Sequence, residues 1–449
     1  MAATDDPATT DAAPAGAVTA NPDVAHETAA TRAPLDRELL ALPPDATLRE
    51  YTSAWVKRVR NGESGVLPVV LGLVVIIVIF QIEKSVFLSA RNLVNLIQES
   101  APFIVLGMAE VFVLLLGEID LSLGYSGAVG AAVMAILAYT PINFGWAPAI
   151  LCGLATGAAI GWGQGQIITR LRLPPFVVTL GGLLFWEGFL IWLINNQSAS
   201  NGGSIRVVNQ TILNIDGGSN MSVAAGWISL AVVLALYAAF TLNRARQRRV
   251  SGLVAPPLSM TLLKLAAVAA AGVALVAVCS VNRSVFAGGS LDGVPWVVPV
   301  VLVLVMAFTF LLDRTRFGRY VYAIGGNREA ARRAGINVNR IRVLAYTLAG
   351  FTAAAALIIL DSRGGGATTD IDGGQTVLYG VAAAVIGGTS LLGGRGKMVH
   401  ALLGGLVIAT IYNGMGLLSL QADVQYMVTA LVLVAAATVD ALSRRGQNS

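Results

Sequence analysis

The residues able to do chemistry in this 449-residue chain are few and scattered. Its two histidines, His26 and His400, lie far apart, and its two cysteines, Cys152 and Cys279, each sit inside an apolar run. That spacing makes neither a metal-ligand set nor a disulfide framework, so metal and redox chemistry are not expected. The stretch Gly393-Gly-Arg-Gly-Lys-Met398 approaches a phosphate-binding loop, but the Gly-x4-Gly-Lys-Ser/Thr spacing fails and Met398 stands where a hydroxyl is needed. No Ser/His/Asp set is visible either, so there are no candidate catalytic residues and the chain is not expected to hydrolyse ATP itself. What remains are acidic groups in apolar surroundings, Glu110 and Glu187. A carboxylate left facing lipid costs about 3 kcal/mol or more, so each marks either a polar contact between helices or a transport path.

The elements that must position these groups are membrane helices. Only 12% of the residues are charged, 55% are hydrophobic, and the mean hydropathy is +0.72. Soluble domains carry roughly twice that charge, which excludes a cytosolic enzyme, a nucleic-acid-binding module and a disordered scaffold for the whole chain. Twelve apolar runs are expected to be helical, at 66–82, 93–116, 125–139, 146–169, 176–194, 223–242, 262–281, 296–312, 343–360, 377–392, 399–418 and 424–442. Against the ~20 residues that a span needs, 125–139 and 377–392 are short and predict broken or partial helices. The fold class is therefore all-α, a polytopic membrane domain over 61–449.

Ahead of it, residues 1–60 read as a disordered acidic tail with a short basic lead-in. Residues 1–50 hold nine acidic groups against Arg32, Arg37 and Arg49, and lack any helical or strand periodicity. With the N-terminus inside, alternate breaks hold 21 Lys and Arg, and the opposite ones hold Lys84, Arg91, Arg206, Arg283 and Arg363. This bias predicts an even number of spans with both termini cytoplasmic. The pI near 9.4 reflects these segment-end charges, and no nucleic-acid partner is expected.

The largest cytoplasmic break, 313–342, contains Gly325-Gly-Asn-Arg-Glu-Ala-Ala-Arg-Arg-Ala-Gly-Ile-Asn-Val338. Asn327 suits an N-cap, Glu329 the positive first turn, and Gly335 a left-handed stop, which predicts a basic helix of about two turns. A simple tether needs no such helix, whereas a membrane protein driven by a cytoplasmic motor does. The outside breaks 195–222, 282–295 and 361–375 are rich in Asn, Ser and Gly. They suit either solvated loops or a surface that receives a soluble partner.

Three stretches now define a resemblance. Gly117-Glu-Ile-Asp-Leu-Ser-Leu-Gly124, the block 318–336, and Ala382-Ala-Ala-Val-Ile-Gly-Gly-Thr-Ser-Leu-Leu-Gly-Gly-Arg-Gly396 resemble motifs of the permease subunits of bacterial monosaccharide ABC importers, of the xylose and ribose type. Their order and spacing match over roughly 66–442. Glu118, where those permeases carry glycine, and the tail 1–50 depart from the pattern. The resemblance implies the helical architecture of the cobalamin importer and a bacterial inner-membrane location. It also implies a second permease copy, ATPase subunits that bind ATP and Mg, and an extracytoplasmic sugar-binding protein, with no cofactor on this chain. Gly325, Gly326, Asn327, Glu329, Ala330, Ala331, Arg332 and Gly335 would then form the ATPase-coupling element. A sugar would be met by hydroxyl-bonding and aromatic groups, which makes Glu110, Asp120, Trp186, Glu187 and Asn196 pathway candidates beside Trp192, Asn195 and Gln197. The hairpin around 244–281 fits the xylose-like branch. Two inverted halves, 93–194 and 343–442, are expected, with the breaks 117–124 and 361–375 in equivalent places. The rival reading is an ion- or proton-coupled secondary transporter of a small polar solute, with Glu110 and Glu187 as its coupling carboxylates.

Overall fold

A computed structural model describes residues 67–139, 142–197, 200–250, 258–285 and 289–445. The tail and lead-in assigned to 1–60 lie outside the described residues.

The apolar runs fall on helices, except that 377–392 leaves its helix at Ile386 and its last six residues form a turn. The first five helices are α1 (Leu67–Glu83), α2 (Ala90–Leu114), α3 (Leu123–Ala138), α4 (Trp146–Arg170) and α5 (Pro175–Asn195). A short strand β1 (Ser204–Arg206) and a single turn α6 (Gln210–Leu213) precede the hairpin α7 (Val223–Val250) and α8 (Leu258–Ser280). Then come α9 (Val297–Arg314), α10 (Arg316–Gly326), α11 (Arg328–Arg333) and α12 (Val338–Gly364). The chain closes with β2 (Gly366–Thr368), α13 (Gly373–Ile386), α14 (Met398–Leu417) and α15 (Ala422–Arg445). Eight of these helices are long and apolar enough to cross a bilayer.

Several helices outrun their apolar cores, because caps rather than hydropathy end a helix. α12 begins at Val338 and not at 343, since Asn337 Oδ1 accepts the Arg340 amide at 3.0 Å. α7 continues past 242 through Arg244, Arg246 and Arg248, since arginine is a good helix former although it is polar.

The bundle has a buried centre and a lipid-facing rim. In the 18-residue apolar cores of α2, α12 and α14, 78%, 61% and 67% of the residues are buried. In those of α7 and α8 only 6% and 11% are, and these helices present Ile228, Leu236, Phe240 and Leu263 outward. Apolar attraction cannot drive helices together in lipid, where tails are as apolar as leucine, so close backbone approach must do so. α4 supplies it through Gly153, Gly157, Gly161 and Gly165, four residues apart on one face. These pack against α3 at Gly130 and against α12 at Val343, Tyr346, Gly350 and Ala354.

The two runs read as short are partial helices. At 1.5 Å per residue, α3 with 16 residues and α13 with 14 span about 24 and 21 Å, less than the ~30 Å hydrocarbon layer. Each follows a long buried helix and a Gly- and acid-containing break. Their N-termini meet, so that a Cβ on Gly124 would lie 1.9 Å from the Gly373 carbonyl oxygen. Long helix, break and short helix thus recur in the two proposed halves.

At the end of the bundle opposite the 115–122 turn, the three polar loops are tied into one cap, with the only regular strands among the described residues. β1 pairs antiparallel with β2, Ser204 opposite Thr368 and Arg206 opposite Gly366. The Met221 amide donates to the Val294 carbonyl at 2.9 Å, which fastens 282–295 to 195–222. Ser362 Oγ donates to the Ile212 carbonyl at 2.7 Å and accepts the Asp216 amide at 3.0 Å.

Candidate functional site

The three motif stretches, separated in the chain by about 190 and about 45 residues, meet at the end of α2. The turn 115–122 brings Leu115 and Glu118 there. α10 delivers Gly325, and the 387–397 turn delivers Gly394 and Gly396. The Gly394 amide donates to the Leu115 carbonyl at 2.9 Å, and Tyr322 Oη donates to the Gly396 carbonyl at 2.8 Å. Gly325 is required by close approach, since a Cβ there would stand 1.8 Å from the Leu115 carbonyl oxygen and 2.5 Å from the Gly394 nitrogen.

Glu118 is the charged centre of this junction. Its side chain is only 4% exposed, and its Oε1 is paired with Arg328, the first residue of α11, and with Arg342 Nε at 2.8 Å. The Arg342 contact is an ion pair without the alignment of a hydrogen bond. Tyr346 Oη, one turn further along α12, donates to Glu118 Oε2 at 3.1 Å. A buried carboxylate is tolerated only when its charge and lone pairs are met, and two guanidinium groups and a phenol meet them here.

From this anchored base α11 projects outward. Asn327 takes the extended N-cap conformation and its Oδ1 accepts the Ala330 amide at 2.9 Å. Glu329, Arg332 and Arg333 have side chains 52%, 71% and 79% exposed, whereas Ala331 is buried. Glu329 accepts from Arg332 at 2.9 Å and from Arg333 at 3.3 Å, and the Arg332 hydrogen bond holds its carboxyl below the usual range. Gly335, at φ +81°, ends the helix in the left-handed region that glycine tolerates. Gly326 closes α10 immediately before the Asn327 cap. The eight residues read as a coupling element therefore lie together from the end of α10 to the end of α11, on top of the Glu118 junction, with Gly325 and Ala331 packed inward and Glu329 and Arg332 exposed.

The pathway candidates are not gathered in one place. Glu110 is fully buried on α2, with neither carboxyl oxygen hydrogen-bonded to a side chain, and lies within electrostatic reach of Asp120. Asp120 Oδ1 accepts from Ser122 Oγ at 2.6 Å, and Ser122 in turn contacts Gln164 of α4. Glu187 of α5 accepts from Tyr125 Oη of α3 at 3.0 Å, where α3 meets α13. Trp186 packs edge-to-face on Phe185 at 4.8 Å and on Phe189 at 5.7 Å. Asn196 is exposed at the end of α5 and donates to the Trp192 carbonyl at 2.8 Å. Reading the sequence did not single out Arg328, Arg342, Tyr346, Tyr125 or Gln164. Arg328 and Arg342 stood only among the positive-inside charges, and nothing local in the sequence says which of those face a carboxylate.

The opposite end carries a second polar cluster. Arg363 donates to Asn95 Oδ1 at 2.6 Å and pairs with Glu99 at 3.4 Å, while Asn413 Nδ2 donates to Glu99 at 2.9 Å and Asn92 Nδ2 donates to Asn413 Oδ1 at 2.8 Å. Beside it opens a cavity of about 620 Å³ lined by Asn92, Asn95, Gln98, Asn220 and Arg283. Next in the chain to the lining residue Gly217, Asp216 has its carboxyl pushed by burial up to about 8, with Arg363 opposing the shift. Among the described residues no group of His, Cys, Asp and Glu is placed to hold a metal ion.

Comparison with known proteins agrees with this geometry. A family model described as a branched-chain amino acid transport system permease component matches residues 92–437. The xylose transport system permease protein of Escherichia coli K12 is 30% identical over 407 residues, covering 90% of this chain and 98% of that protein. The corresponding protein of Haemophilus influenzae is 32% identical over 378 residues, covering 84% and 96%. The ribose import permease of Escherichia coli K12 is 28% identical over 392 residues, covering 87% and 96%. No solved structure matches. The chain belongs to the same family as these sugar permeases, the multi-pass inner-membrane permease subunits of ABC importers, whose ATPase is a separate subunit.

Proposed function

We propose that this chain forms the translocation pathway of an ATP-driven monosaccharide importer, with a xylose-like pentose as its first candidate cargo. The observation that carries the reading is the convergence of the three motif stretches beneath α11, a short, capped, basic helix that projects from a buried charged junction. On this reading α11 and its flanks, Gly325 to Gly335, dock on the ATPase subunit, which binds ATP and Mg. The termini lie on that same cytoplasmic side, in keeping with the charge bias. At the other end the tied loops 195–222, 282–295 and 361–375 receive the sugar-binding protein. A second copy of the chain completes the pathway, and lipid covers the exposed faces of α5, α7 and α8. Glu110, Asp120, Trp186, Glu187 and Asn196 remain its pathway candidates, with the Glu187–Tyr125 contact placed where the two partial helices meet. Family membership favours ATP over an ion gradient as the energy source. The xylose assignment is supported by the xylose relatives, together with the long hairpin α7–α8.

The test is a mild-detergent pull-down of the tagged chain from its native membrane, followed by ATPase assay and uptake of labelled xylose, ribose and fructose. Co-purification of an ATPase that is lost with Glu329→Arg and Gly335→Pro, at normal membrane insertion, is the expected result. A stable preparation free of ATPase, whose uptake collapses with an uncoupler, would overturn it.

A further inference from the structure

We propose that Glu118 is the positioning residue that carries displacement of α11 into the core of the bundle. The inference rests on the reading of α11 as the ATPase-docking element. The excursion that bears α11 leaves the body of the protein after α10 and returns at the start of α12, and Glu118 holds both of its ends. Arg328 lies on the outgoing side and Arg342, at 2.8 Å, on the returning side. Tyr346 Oη adds a third contact at 3.1 Å. α11 itself has a single buried residue, Ala331, so little else fastens its body to the protein.

Glu118 in turn belongs to the turn that ends α2, the most buried of the long helices. Its own amide donates to the Val113 carbonyl at 3.2 Å, which ties the residue to the last turn of α2. Two residues on, Asp120 is completely buried. A rigid link of this kind transmits motion because a buried carboxylate cannot part from both guanidinium groups without a large desolvation cost. When α11 is pushed, the turn and the end of α2 must follow. Arg328 is half-exposed and is the partner through which the link is most easily loosened without disturbing the core.

The experiment uses the complete complex of permease, ATPase subunit and binding protein in lipid vesicles, and reads sugar imported per ATP hydrolysed. Arg328→Gln and Glu118→Gln should each lower this ratio at least about five-fold, the low end of typical coupling energies. The double variant should be no worse than the more damaging single one, because both remove the same link. Arg328→Lys, which keeps the charge, should recover most of the ratio, which loss of general packing would not allow. An unchanged ratio in Arg328→Gln, or losses that simply add in the double variant, would overturn the proposal. If Glu118→Gln does not assemble, Arg328→Gln against Arg328→Lys still decides it. A wild-type chain that binds no ATPase would instead overturn the proposed function and this inference with it, whereas a coupled wild type with an unaffected Arg328→Gln removes the inference alone.

Discussion

The glycine face of α4 allows a prediction worked from distances. An ideal Cβ on Gly161 would stand 2.1 Å from the Tyr346 carbonyl oxygen, 2.9 Å from its carbon and 3.3 Å from the Gly350 nitrogen. Ordinary contact needs well over 3 Å, so Gly161→Ala forces α4 and α12 apart by about 1 Å. The obstructing atoms are backbone, and Tyr346 is completely buried, so no flexible side-chain end can move aside. Overpacking of this kind costs about 1–3 kcal/mol, while alanine in a helix gains about 1 kcal/mol over glycine. The clash should win by up to about 2 kcal/mol. Gly163, two residues along and turned away, has nothing within 4 Å. Gly163→Ala should therefore keep the helix gain and melt at or above the wild type.

The assay is thermal unfolding in detergent, followed with a thiol-reactive dye that reports exposure of the buried Cys279 thiol. The expected order is Gly163→Ala highest, then wild type, then Gly161→Ala a few degrees lower, the scale about 2 kcal/mol sets in a chain of this size. A Gly161→Ala protein that melts at or above Gly163→Ala would refute the argument that backbone contact between α4 and α12 holds the bundle together.

Two further outcomes follow from single side chains. The Asp216 carboxyl, raised by burial to about 8 from an ordinary 3.8, keeps its proton in the folded protein while the unfolded chain ionises, so stability falls as pH rises from about 4 to 8. Asp216→Asn should flatten that slope and raise the melting temperature at pH 8 more than at pH 4.5, and an equal effect at both would sink the assignment. Asn327→Ala removes the acceptor of the Ala330 amide and should destabilise α11 by about 1 kcal/mol. Faster protease cleavage within 328–335, at an unchanged global melting temperature, is the expected reading.

Much of the architecture is legible in the chain itself. The apolar runs, the two partial helices, and the capped helix between Asn327 and Gly335 lie where local composition puts them, apart from 387–392, which reads as helix and folds as a turn. What lay beyond sequence reading is specific: Glu118 looks like an isolated departure in a glycine motif until Arg328 and Arg342 stand beside it. Tyr125 reads as one more aromatic until Glu187 faces it, and the regular glycines of α4 name no partner. The loops read as turn-rich surfaces prove to be clasped together by β1 and β2, six residues too few and too polar to announce strands.

The division has a physical cause. Insertion into a bilayer and the capping of a helix are decided within about 20 residues, by transfer of apolar side chains and by hydrogen bonds to the nearest amides. The sequence alone therefore determined that this chain crosses the membrane many times, about where its helices lie, and which family it resembles. Which helices meet is decided differently, because lipid-facing and protein-facing surfaces are equally apolar and hydropathy cannot tell them apart. Only the tertiary structure could bring residues 118, 328 and 342 together, stack the glycines of α4 on the backbone of α12, and leave Glu110 buried beside Asp120. Those contacts depend on shape and charge complementarity between segments separated by hundreds of residues, and they exist only once the whole bundle has closed.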